Sequence, residues 1–124
     1  MASPEWGSSA LFITWDDCGC FYDQAVPGHN PDGTWQGPRE PLVIVSPYAK
    51  PGYTDTTATT FAGILAYTEH TFGLTPLGVN DAHAYPFTNA FNYQQRPLQP
   101  ARMVYRPWPR DAYHIDMKQA LQDS

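Results

Sequence analysis

Charge is scarce in this chain, and positive charge scarcest. Seven Lys and Arg stand against twelve Asp and Glu in 124 residues, a formal net charge of −5. Scattered basic residues on an acidic chain lack the electrostatic footprint of a nucleic-acid binder. Long apolar runs are missing as well. Stretches such as Leu42-Val43-Ile44-Val45 stop at four residues, against the roughly 20 needed to span a bilayer. The N-terminal stretch, with Pro4, Glu5 and Trp6, has neither the basic start nor the apolar segment of a signal peptide. Cysteine is limited to Cys18 and Cys20. Two cysteines make no disulfide framework, and a bond between such close neighbours is strained. No CxxC or HxxxH completes a zinc motif around them, so both read as ordinary thiols beside a turn.

What the chain does have is proline, glycine and aromatic residues: 13 Pro, 9 Gly, 4 Trp, 8 Tyr and 6 Phe. The proline share is roughly twice the usual 5% or so, which commits much of the chain to turns and extended loops. The apolar fraction is 42%, so this is not a charged disordered tail, and the length fits one domain.

Ala10-Leu11-Phe12-Ile13-Thr14-Trp15 is apolar, aromatic and β-branched, and Asp16-Asp17-Cys18-Gly19 closes it. Leu42-Val43-Ile44-Val45 follows Pro41 and ends at Ser46-Pro47. Neither segment alternates polar with apolar. Both read as strands buried on two faces, a pattern of parallel-sheet interiors. Between them runs a long loop, residues 22–40, with the turn dipeptides Pro27-Gly28, Asn30-Pro31, Asp32-Gly33 and Gly37-Pro38. Long loops in compact domains are more often functional than idle.

A second loop, residues 47–57, turns at Pro51-Gly52. Beyond it Phe61, Ile64, Leu65, Thr68 and Phe72 fall on one helical face. Threonines 56–60 (all but Ala58) offer N-cap hydroxyls, and Gly73 stands where a C-cap belongs. Strand, loop, strand, loop, helix predicts an α/β fold. After Pro76 the pattern weakens. Residues 81–91 suit a short helix interrupted by Pro86, residues 94–109 an extended Pro-rich strap, and residues 111–121 a terminal helix capped by Asp111.

In open α/β sheets, ligands bind beyond the carboxyl ends of the strands. Asp16 and Asp17 stand at such an end. Adjacent carboxylates repel, and a hard multivalent cation offsets that repulsion. Two solvated turn residues would look the same in sequence. His29, His70, His83 and His114 show no ligand spacing and read as exposed or structural. No P-loop, GxSxG or GxGxxG is present. Ser46 ends a strand without an evident base and reads as a turn residue. Trp15, Phe21, Tyr22, Tyr48 and Tyr53 gather near strand ends. They either line a pocket for an apolar or lipid-like group or pack the loops onto the sheet.

Three segments taken together carry a resemblance. The first is Ser3-Pro4-Glu5-Trp6, then residues 10–17 with Gly19 and Phe21-Tyr22-Asp23. The second is Gly37-Pro38-Arg39 leading through Pro41 to Tyr53. The third is Phe61-Ala62-Gly63-Ile64-Leu65 with Glu69, then Phe72-Gly73-Leu74 and Pro76-Leu77. In this order, from about Ser3 to Tyr93, they resemble the C-terminal part of the bacterial phosphoesterase family that includes phospholipase C and AcpA-type acid phosphatases.

The resemblance implies part of an alkaline-phosphatase-like α/β fold: two buried strands, one clear amphipathic helix and long Pro/Gly-rich loops. Residues 1–93 would form the C-terminal segment of the phosphoesterase domain, and residues 94–124 a strap and terminal helix. It implies hydrolysis of phosphate esters, phospholipids among them, at a divalent-metal site. Asp16 and Asp17 match the family's metal-binding acidic pair. The Ser or Thr nucleophile, further metal ligands and several histidines belong upstream in the family, so Met1 would be an internal methionine and the chain inactive alone. The alternative is a non-catalytic relic or binding module. Either way an incomplete sheet would self-associate or pair with the missing N-terminal part. Family members are often exported, but nothing in the chain fixes its localisation. Three positions depart from the family pattern: Cys20 replaces a glycine, Gln24 a histidine, and Thr54-Asp55 a Ser-His pair.

Overall fold

The structure, a computed structural model, describes residues 3–16, 22–101 and 104–105. It is a small α/β unit. A 3-10 turn at Pro4–Ser8 precedes strand β1 (Leu11–Thr14). The long loop then leads to β2 (Leu42–Val45), helix α1 (Ala62–Phe72), the short helix α2 (Val79–His83) and a 3-10 turn at Thr88–Ala90. The expected terminal helix lies outside the described residues.

The two strands lie where the apolar runs place them, but they pair antiparallel and not as a parallel interior. Leu11 faces Val45, Phe12 faces Ile44, Ile13 faces Val43 and Thr14 faces Leu42. Nor are they buried on both faces. Successive side chains point to opposite faces, and only one face is covered here. Phe12, Leu42 and Ile44 turn toward the core. Leu11, Ile13 and Val43 point the other way and are 55%, 50% and 55% exposed. The residues suit a doubly covered sheet, yet no second layer stands over that face among the described residues.

The core is mostly aromatic. Phe87, Ala90 and Phe91 are buried, with Phe12, Leu42, Ile44, Tyr48, Ile64, Tyr67 and Tyr85 around them. Tyr67 stacks on Phe91 at 5.0 Å, Phe91 on Tyr93 at 5.5 Å, and Phe12 meets the Tyr67 ring edge-on at 5.0 Å. The Tyr67 and Tyr93 hydroxyls are 3.0 Å apart. Burial, then the bond to Tyr67, pushes the Tyr93 hydroxyl above the ordinary tyrosine range. Phe87 adopts φ 54°, a left-handed conformation unusual for a bulky residue. The kink turns its ring inward, where it is 4% exposed.

Helix α1 ends at Gly73 as the sequence predicts. Gly73 has φ 65°, and the amide of Leu74 bonds back to the Glu69 carbonyl at 2.8 Å. Its packed face matches the expected one only in part: Ile64 packs against the core, but much of the expected face is exposed. Gly63, Ala66 and Glu69 are buried, while Phe61 and Phe72 are 47% and 72% exposed. Close approach explains the change. A Cβ on Gly63 would sit 2.7 Å from the Tyr85 carbonyl oxygen and 3.1 Å from the Phe87 ring, so α1 rests on the 85–87 segment through its smallest side chains. The N-terminus also differs in detail. Phe61 occupies the cap position with no side-chain cap bond, and the Thr60 hydroxyl instead accepts from the Ala62 amide at 3.3 Å.

The expected helix over 81–91 is split and begins earlier. Asp81 accepts from the amides of Leu77 and Gly78 and starts α2 at Val79. Helix α2 ends before Pro86, which cannot continue a hydrogen-bonded turn. The segment after Tyr93 lies along the loop that follows β2. Leu98 N donates to Pro47 O at 2.8 Å, Gln95 Nε2 reaches Pro47 O and Ala49 O at 3.1 Å each, and Trp6 Nε1 donates to Leu98 O at 3.0 Å.

Candidate functional site

The carboxyl end of β1 delivers Asp16 to the surface, where its side chain is exposed. Asp17, Cys18, Cys20 and Phe21 lie outside the described residues. Adjacent in sequence to Asp16, Trp15 lines a groove of about 480 Å³ with Tyr22, Asp23, Gln24, Arg39, Glu40 and Pro41. Of the predicted aromatics, Trp15 and Tyr22, 48% and 91% exposed, line this groove, and Tyr53 lines a larger cleft. Tyr48 packs against Tyr93 at 5.7 Å, and Tyr53 lies under the Lys50 ammonium at 5.1 Å.

An ion pair closes the long loop at this groove. Arg39 Nε donates to Asp23 Oδ2 at 2.9 Å and Arg39 Nη2 to Oδ1 at 2.8 Å. The amides of Arg39 and Ala25 donate to the same carboxylate at 2.9 Å and 3.0 Å. The Arg39 guanidinium, then the Ala25 and Arg39 amides, hold the Asp23 carboxyl far below the usual carboxylate range. Planar, two-pronged contact of this kind fixes geometry as well as charge, so residues 23 and 39 are held as the neck of the loop.

The body of the loop folds as a small hairpin. Asn30 N donates to Thr34 O at 2.8 Å, Gln36 N to Gly28 O at 2.9 Å, and the turn closes at Gly33 with φ 86°. Asp32 Oδ1 accepts from the Thr34 hydroxyl at 2.6 Å, and Asp32 Oδ2 accepts from Asn80 Nδ2 at 2.8 Å. That last bond ties the loop to α2. Between the hairpin, β2 and the loop 50–62 lies an open cleft of about 1520 Å³, bordered by Thr54, Thr56, Thr57, Thr59 and Thr60. At its edge Asp55 Oδ2 accepts from the Tyr85 hydroxyl at 2.8 Å, and that hydroxyl accepts from the Asn89 amide at 2.6 Å. Burial raises the Asp55 carboxyl, but bonds from Thr57 and Tyr85 outweigh it and hold the group below its ordinary value.

The histidines do not converge. His29 stacks on Trp35 at 3.9 Å in the hairpin, and His83 Nδ1 lies 2.8 Å from the Val79 carbonyl oxygen. His70 is exposed on α1, and His114 is outside the described residues. Ser46 is buried, its hydroxyl accepting from the Tyr48 amide at 3.2 Å, the turn role its sequence position implies.

A carboxylate at a strand end has the right donor chemistry for a hard cation. The number of donors falls short: among the described residues no group of three or more His, Cys, Asp or Glu could hold a metal ion. Sequence reasoning missed two arrangements. The Arg39–Asp23 neck joins residues of two separately quoted motifs. The buried pair Glu69 and Asp81 bridges α1 and α2, and only the Asp81 position, three after Gly78 at a helix start, signalled it.

A comparison with known families matches residues 1–75, more than half of the chain, to the phosphoesterase family. The chain belongs to that family. By that resemblance it is a hydrolase acting on phosphoric esters. The matched stretch holds β1, the loop neck, β2 and α1. No curated protein matches the chain. Among the described residues no helix is long and apolar enough to cross a membrane.

Proposed function

We propose that the chain is the C-terminal part of a bacterial metal-dependent phosphoesterase of the phospholipase C or acid phosphatase type, built on an alkaline-phosphatase-like fold. The family match over residues 1–75, which includes Asp16 at the carboxyl end of β1, carries this reading. Asp16 and Asp17 supply two carboxylates to a divalent cation whose other ligands come from outside this chain. Residues 1–93 act as the C-terminal segment of the catalytic domain, and residues 94–124 as a strap and tail. When bound, the cation would act as a Lewis acid on the phosphoryl oxygen and help activate the nucleophile.

The chain's own residues do the positioning. The Arg39–Asp23 bond holds the loop neck closed and fixed at the groove, and Trp15 and Tyr22 offer apolar flanks for an ester's organic group, an acyl chain among them. The nucleophile is supplied from elsewhere, so the chain alone does not turn over. The uncovered face of Leu11, Ile13 and Val43 supports pairing with an N-terminal part or with a second copy. It equally favours the second reading, a non-catalytic module whose work is that association.

Titration calorimetry with Mn²⁺, Zn²⁺ and Ca²⁺ tests the metal reading. Weak binding lost in both Asp16→Ala and Asp17→Ala is expected. Binding unchanged in the two variants removes the carboxylates from the site.

A further inference from the structure

Glu69 and Asp81 are two acidic side chains buried at the junction of α1 and α2, at 5% and 6% exposure. Their partners differ. Asp81 Oδ2 accepts from Leu77 N at 2.6 Å and from Gly78 N at 3.2 Å. Glu69 Oε1 is buried with no hydrogen-bond partner, and the side chain its carboxyl group meets is that of Asp81. Two ionised carboxylates in contact and out of water repel each other and forfeit their hydration. One proton between them removes the repulsion and the desolvation cost of one of the two charges, and creates a short charge-assisted O–H···O⁻ bond. Two backbone N–H groups favour the anion on Asp81, which leaves the proton to Glu69.

We infer that Glu69 and Asp81 form a one-proton latch between α1 and α2, closed while Glu69 is protonated and opened when it ionises. The Leu77 amide, shared with Asp81, gives the Glu69 anion some support, but burial and Asp81 outweigh it, and no cationic side chain among the described residues compensates a second negative charge. The linker 74–78 carries no titratable side chain. His70, next to Glu69 on α1, is exposed. His83, at the end of α2, is exposed and has Nδ1 at the Val79 carbonyl. The loop side contributes Asp32, another anion, bonded to Asn80.

The latch has a mechanical reach. Asn80 sits beside Asp81 in α2 and holds Asp32 through two bonds, Asn80 Nδ2 to Asp32 Oδ2 at 2.8 Å and Asp32 N to Asn80 Oδ1 at 3.2 Å. Loosening α2 therefore frees the hairpin that borders the large cleft.

The pH window follows from the directions. Burial, then Asp81, raises the Glu69 carboxyl above its ordinary value, so its contribution is complete below that ordinary value and is lost as pH rises through the raised one. Burial also raises Asp81, but the Leu77 amide and the other bonds outweigh it and lower the group. Its contribution is present above the ordinary aspartate value and is lost as pH falls through the lowered one. The latch is closed between the two.

The test is a carboxyl-carbon NMR titration of the full chain labelled at glutamate, with Glu69 assigned through its backbone, alongside hydrogen exchange at the Leu77 and Gly78 amides. Glu69 is expected to titrate above the ordinary glutamate value of about 4.3. Leu77 and Gly78 should lose protection over the same pH range, beyond the intrinsic acceleration by base. Glu69→Gln, whose amide donates to Asp81 without titrating, should keep both amides protected through that range. A Glu69 carboxyl that titrates at or below the ordinary value overturns the inference, with no variant needed. So does a loss of protection that is the same in Glu69→Gln as in the wild type. Neither readout depends on phosphoesterase activity.

Discussion

Gly63→Ala sets two physical effects against each other inside α1. Helix propensity alone makes the change favourable by about 1 kcal/mol. The packing opposes it. The new Cβ would stand 2.7 Å from the Tyr85 carbonyl oxygen and 3.1 Å from the Phe87 ring. A backbone oxygen cannot swing aside as a side chain can. The Thr59 hydroxyl also lies in the way, and moving it gives up its 3.1 Å bond to that same carbonyl. Overpacking of this kind costs about 1–3 kcal/mol, and a lost hydrogen bond adds about 1 kcal/mol. The balance is a net loss of about 1–3 kcal/mol. Urea unfolding reads it: with a slope of about 1–3 kcal/mol per molar, the midpoint should fall by several tenths of a molar or more. Phe87→Leu in the same background removes the ring contact but not the carbonyl, so it should not rescue the variant. A Gly63→Ala chain as stable as the wild type, or more stable, would refute the close-approach account of α1.

Other outcomes follow from the same structure. Tyr85→Phe removes the bonds to the Asn89 amide and one Asp55 oxygen, a loss of about 1 kcal/mol in urea unfolding. Arg39→Ala leaves Asp23 without its guanidinium and should speed hydrogen exchange at the Ala25 and residue-39 amides, with little change at β2. Because the Asp23 carboxyl is lowered chiefly by Arg39, its contribution is present above the ordinary aspartate value and is lost as pH falls through the lowered one. Asp23→Asn should therefore flatten the acid limb of the stability profile, and a limb unchanged in that variant would contradict the assignment. Ile13→Lys on the uncovered sheet face should weaken association measured by sedimentation while leaving the monomer's helix signal intact.

Some of this was legible in the sequence, and the reasons are local. Apolar β-branched runs bounded by Pro and Asp placed β1 and β2, and Gly73 marked the end of α1. What the runs could not tell was orientation or coverage. Leu11, Ile13 and Val43 carry the composition of a buried face, and their exposure is a property of what stands beside them. The packed face of α1 was misread in part, for the opposite reason. Large residues such as Phe61 and Phe72 dominate an apolar pattern, whereas Gly63 and Ala66 make the contact because they are small. Phe87 at φ 54° has no sequence signature, since Gly or Asn is the residue expected in that conformation. The position of Asp16 just beyond a strand end was legible. The Arg39–Asp23 neck and the Glu69–Asp81 pair were not, because each joins elements through a turn whose geometry the sequence does not specify.

Hydrolysis of p-nitrophenyl phosphate by the purified chain, with and without added divalent metal, tests the central claim most directly. The account predicts no turnover above background in either condition, because on the proposed function the chain would supply carboxylates and positioning groups but not the nucleophile. Robust metal-dependent turnover that disappears in Asp16→Ala would contradict it, and would place a complete active site within these 124 residues.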